Sequence, residues 1–177
     1  GWLRWAAEQI RGLGGTINFD PALGGKTIMH DSGLYLPHDT YIVGSPKGIT
    51  ISGTGQFHLI PGRGVVDLQN VTLTNGYGDY GSATHARKVT LTFSTVKDNR
   101  GGPAVFAENT LHIYNSTVSG NTVARPAIFW LNGSHVEIEQ STIAFNGAAA
   151  GIGMSDSPNP WADVTLRNAI ITNNGTR

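Results

Sequence analysis

At 177 residues the chain is long enough for one domain with a real core and too short for two comfortable ones. Lys plus Arg and Asp plus Glu stand at 12 each, and charged residues are only 14% of the total, which excludes a basic nucleic-acid-binding surface and a disordered charged tail. Without cysteine there are no disulfides, thiolate zinc sites or Cys nucleophiles, and no run of ~18 apolar residues is present to span a membrane as a helix.

Residues 1–13 read as an N-terminal cap. Leu3, Ala6, Ala7 and Ile10 recur at helical spacing, and Gly12 stands where a C-cap glycine is expected. A short amphipathic helix ahead of a repeat array covers the open end of its core. Gly1 in place of Met points to processing or excision from a longer chain.

Residues 14–64 hold short β-prone runs: Thr16–Phe19, Thr27–Met29, Leu34–Leu36, Ile49–Ile51 and Phe57–Leu59. Gly- and Pro-rich turns separate them, so two or three irregular coils are expected here. From residue 65 the pattern is regular. Five segments end at Asn75, Asn99, Asn121, Asn146 and Asn174, spaced 24, 22, 25 and 28 residues apart. Each opens with an alternating apolar pair, Val66/Leu68, Val89/Leu91, Leu111/Ile113, Val136/Ile138 and Val164/Leu166. A second apolar column follows at Leu73, Val96, Val118, Ile143 and Ile171. Three copies add a third short run, around Val105, Ile128 and Ile152.

Three short strands and tight corners in such a period make one coil of a parallel β-helix. Copies stacked ~4.8 Å apart bury one continuous core. The fold class is therefore all-β: a right-handed parallel β-helix over 14–177 of about seven coils, roughly 30 Å of stack, with an N-terminal capping α-helix. The recurring Asn is expected at a corner of left-handed geometry, where like side chains stack into a ladder of Asn75, Asn99, Asn121, Asn146 and Asn174.

The order LRWAAEQI, GGTINFDPALGGKTI, GITISGTG, VVDLQNVTLTNG and then NSTVSGN-type repeats resembles bacterial right-handed parallel β-helix surface proteins. These are the polymorphic-outer-membrane-protein-like and choice-of-anchor β-helix families. The resemblance implies a secreted or cell-surface protein of adhesive or structural type, with no catalytic motif to carry over.

Residue by residue, chemistry-bearing groups look scattered. Asp98 shares a corner with Lys97 and Arg100, His112 is expected to stack beside Glu137, and Glu139 beside Arg167 of the next coil. These read as a solvated charge ladder. Six His show no metal-ligand spacing, so no metal, cofactor or catalytic residue is expected. The pairs Thr72/Thr74 and Thr90/Thr92 begin a water-ordering Thr array that is expected to break after two coils. Sequons at Asn70, Asn115, Asn132 and Asn174 are read mainly as corner residues, with Asn132 the best glycosylation candidate.

The expected function is an extracellular or cell-surface structural or adhesive β-solenoid module, not an enzyme. The alternative is a carbohydrate-active enzyme or carbohydrate-binding module. The expected partner is a second copy, head to tail, or neighbouring coils of a longer parent chain, with surface glycans as further candidates; neither nucleic acid nor a membrane span is expected. Trp2 and Trp5 at one end, and Val164, Leu166, Ile170 and Ile171 at the other, are the proposed assembly interface.

Overall fold

The computed structural model describes residues 2–130, 135–147, 150–154 and 163–175. A helix, Trp2–Gln9, is followed by strands that pair only in parallel and in register with the strand one coil on. One sheet runs through Gly15–Asn18, Thr40–Val43, Val65–Gln69, Thr84–Thr92, Val105–Tyr114, His135–Glu139 and Asp163–Arg167. The second has seven strands, from Thr27–Met29 to Ile170–Thr172. A third face is made by Ile60–Pro61, the first residues of the two long strands, Ile128–Trp130 and Ile152–Met154.

Five coils have all three faces, the first at 40–61 and the last at 135–154. The opening coil closes its third face through the single bridge Leu36↔Gly62, and the described part of the last holds only Asp163–Arg167 and Ile170–Thr172. The expected seven coils are thus five complete ones with a partial coil at either end. Thr40–Val43 was not among the expected strands, although its alternation is plain: Thr40 and Ile42 are buried while Tyr41 is exposed.

The inward columns explain the fold. Ile42, Leu68, Leu91, Ile113 and Ile138 stack in the first sheet, and Ile51, Leu73, Val96, Val118 and Ile143 in the second, all essentially inaccessible. Burying such side chains contributes ~1.5–3 kcal/mol each and drives the stacking. At the start, Leu3 and Ala7 of the helix join this core. The helix ends before Gly12; the left-handed glycine is Gly14 at φ 77°, whose N–H donates to the Ile10 carbonyl at 2.7 Å. Only glycine fits there, because a Cβ would collide with the Asp39 carbonyl.

Two corners repeat in each regular coil, and each begins with a left-handed residue. The first set is Asn70, Phe93, Asn115, Gln140 and Asn168; the second is Asn75, Asp98, Gly120, Phe145 and Asn173. The left-handed residue therefore precedes the ladder position, contrary to the expectation that the ladder Asn itself takes that geometry. Register pairs Val96 with Leu73 and Lys97 with Thr74, which brings Asn75 opposite Asp98 and Gly76 opposite Asn99. The Asn ladder is accordingly Asn99, Asn121, Asn146 and Asn174, capped by the Gly76 N–H, and Asn75 lies one position outside it.

Candidate functional site

Two buried polar ladders hold the corners. Asn99 Nδ2 donates to Asn121 Oδ1 at 2.9 Å, Asn121 to Asn146 at 2.8 Å and Asn146 to Asn174 at 2.7 Å. A second ladder, missed in the sequence, runs from the Val71 N–H through Ser94, Ser116 and Ser141, each Oγ accepting from the backbone N–H one coil back. Its signal is the recurring Ser-Thr at 94–95, 116–117 and 141–142. These ladders satisfy corner backbone groups that would otherwise be buried without partners. They also account for the sequons at Asn70 and Asn115 as left-handed corners. Asn132 lies outside the described residues.

On the outer surface of the second sheet, Thr27, Thr50, Thr72, Thr95, Thr117 and Thr142 form one unbroken column. Thr72 and Thr90 belong to different sheets, so the two-coil array expected from the sequence does not exist; the real column is longer, and its last three members, Thr95, Thr117 and Thr142, each follow a corner Ser. Cross-strand Thr pairs of this type stabilise a sheet by ~0.2–1 kcal/mol each.

The outer surface of the first sheet gathers the chemistry. Asp67, Thr90, His112, Glu137 and Thr165 share one register column, Lys88, Thr110, His135 and Asp163 the next, and Tyr114, Glu139 and Arg167 a third. Coil stacking thus brings together residues more than twenty positions apart, a convergence that a search for His at helical spacing misses. Donor atoms of His112, His135 and Glu137 all lie within 4.8 Å of one another. The His112 and His135 rings meet edge to face at 5.5 Å between centroids.

Neighbours fix each group. Tyr114 donates its hydroxyl to Glu137 Oε2 at 2.5 Å, and His135 Nδ1 is 2.6 Å from Asp163 Oδ1. As expected, His112 stands opposite Glu137 and Glu139 opposite Arg167, but the guanidinium makes its ion pair diagonally with Glu137, at 3.9 Å. His112 Nε2 is buried and has no hydrogen-bond partner among the described residues. Burial, helped by the nearby Lys88 and His135, holds the His112 imidazole below its ordinary pKa. Partial desolvation, then the hydrogen bond to Glu137, pushes the Tyr114 phenol up to about 12. The same hydrogen bond holds the Glu137 carboxyl below its usual range. Asp67 is shifted up by burial, partly offset by Lys88. The arrangement brings two imidazoles and an anionic carboxylate together at a half-buried point, with the Tyr114 phenol holding the carboxylate. That set can bind a cation, hydrogen-bond sugar hydroxyls or relay a proton. The Asp98 corner offers less: Lys97 Nζ lies 3.6 Å from Asp98 Oδ2, and both side chains are about half exposed.

The proposed assembly residues lie at opposite ends of the stack. Trp2 and Trp5 are 86% and 56% exposed, with rings edge to face at 6.3 Å, beside an apolar hollow of about 500 Å³ that also takes in Ile17, Phe19, Leu23 and Ile28. At the far end, Leu166 occupies the column of Ile138 but is 49% exposed where Ile138 is fully buried, and Val164, Ile170 and Ile171 are similarly open. Arg177 lies outside the described residues. None of the described helices is long and apolar enough to cross a membrane.

Among known proteins, comparison with curated sequences gave no match, and neither did comparison with solved structures. A family model described as a right handed beta helix region matches residues 38–177, which takes in every complete coil. Most of the sequence falls under that match, and the chain belongs to the right-handed β-helix family.

Proposed function

We propose that the chain is a structural or adhesive β-solenoid module of the cell surface or extracellular space, without catalytic turnover, that joins end to end with a second copy. The reading is supported by Leu166, half exposed at a position buried in every complete coil, an apolar rung that a second copy or the next coils of a longer parent chain would cover. An open rung exposes unpaired backbone and apolar side chains together, and solenoids cover such ends. The Trp2/Trp5 hollow supplies an apolar surface at the opposite end. A contact between unlike ends is heterologous and grows into a filament. The likeness to bacterial β-helix surface proteins supports the location. Light scattering over a concentration series tests the joining. The expected result is a mass that rises with concentration and falls to that of one chain in Leu166→Arg and in Trp2→Ala/Trp5→Ala. A single-chain mass at high concentration, unchanged by these substitutions, would overturn it.

A second reading, surface-glycan recognition on the first sheet, is favoured by the convergence of His112, Tyr114, Glu137 and Arg167. Binding of a soluble polysaccharide that is lost in Glu137→Gln supports it. Reproducible product formation from pectin or alginate, abolished in the same variant, would replace the non-catalytic reading with an enzymatic one.

A further inference from the structure

We propose that His112, His135 and Glu137 bind one divalent transition-metal ion of the zinc class. His135 and Glu137 are two residues apart on His135–Glu139 and so share its outer face, and His112 stands in register with Glu137 one coil back. Two imidazoles and one carboxylate are the three-protein-ligand set of open zinc sites, and nitrogen-rich donors favour zinc, cobalt, nickel or copper over calcium and magnesium.

The geometry is close to what an ion needs. Tetrahedral zinc with bonds of about 2.0–2.1 Å places its donors about 3.3 Å apart. The three donors lie within 4.8 Å. His135 is exposed and Glu137 half-buried, so rotation of these side chains closes the difference. Supporting contacts are in place as well. Asp163 takes His135 Nδ1 and leaves Nε2 to coordinate; Tyr114 holds Glu137 Oε2, and an ion at Oε1 would displace the Arg167 guanidinium that stands 3.9 Å from it. Carboxylate–imidazole pairs of this kind orient metal ligands.

Two further observations point the same way. The buried His112 Nε2 lacks a partner among the described residues, a cost that an ion or a proton-sharing ligand removes. The carboxylates of Glu137 and Asp163 stand at the two imidazoles and balance the nearby cations of Lys88 and Arg167, so an added dication meets no net positive charge. A charge ladder alone explains the ion pairs but not the convergence of both imidazoles on Glu137.

The test uses the chain stripped with a chelator and titrated with zinc chloride by calorimetry, then with cobalt chloride by visible absorption. Neither needs a partner or a glycan, so failure here is separate from failure of end-to-end joining. The expected result is one ion per chain, four- or five-coordinate cobalt bands and a raised Tm. Affinity should fall at least about 100-fold in His112→Ala/His135→Ala and about 10-fold in Asp163→Asn. His38→Ala, away from the cluster, should bind as the parent does. A cooperative melt of each metal-free variant reports intact folding, whatever small change in Tm the loss of the half-buried His112 or of the His135–Asp163 contact brings. Absence of saturable binding, binding undiminished in the double variant, or loss in His38→Ala would each overturn the proposal.

Discussion

Asn121 Oδ1 accepts two hydrogen bonds from Asn99, from its backbone N–H at 3.0 Å and from its Nδ2 at 2.9 Å, while Asn121 Nδ2 donates onward to Val96 O and to Asn146 Oδ1. One side chain thus ties three coils together without contact with solvent. Each left-handed non-glycine corner residue costs ~1–2 kcal/mol, and the ladder beside it offsets that strain.

Asn121→Ala should therefore destabilise the fold by about 3 kcal/mol or more, since it strands several buried donors and acceptors at ~1–3 kcal/mol each. Asn75→Ala, outside the ladder, loses one hydrogen bond to Ser52 Oγ and puts Ala at a left-handed φ of 58°, and should cost less, about 1–2 kcal/mol. Chemical denaturation of the two variants checks the difference; equal losses would contradict the ladder assignment.

Thr84 sits in the third-face column with Ile60, Val105 and Ile128, fully buried, and its Oγ1 has no hydrogen-bond partner among the described residues. Thr84→Val keeps the shape and removes the unpaired hydroxyl. It should stabilise by about 1 kcal/mol. A drop in Tm would show that the hydroxyl is satisfied after all.

His30 is buried, and desolvation together with the Arg4 charge holds its imidazole below the ordinary 6.5. In the window between the lowered folded value and 6.5, the unfolded chain binds the proton and the folded chain does not. The contribution of His30 to stability is therefore full above 6.5 and declines as pH falls towards the folded value. Melting curves across that window should show a shallower loss on acidification in His30→Asn than in the parent. Identical slopes would contradict the assignment.

Much of the fold was legible because a solenoid writes its core into the sequence at a fixed period. Val118, Ile138 and Ile143 are inward as the alternation requires. Corners were less legible. Gly76 replaces Asn in the first regular coil, and Asn75 beside it offered a false match, since Asn suits both the ladder and the left-handed position. The His112/His135/Glu137 cluster was half visible: stacking of His112 on Glu137 follows from register, but the reach of His135 across the column depends on side-chain direction, which spacing does not carry.

The central claim, that the open Leu166 rung meets the Trp2/Trp5 end of another copy, is tested most directly by negative-stain electron microscopy of concentrated protein. The expected images show unbranched filaments many times longer than the ~30 Å of one stack, and they vanish in Leu166→Arg. A uniform field of single short particles in both samples would contradict it.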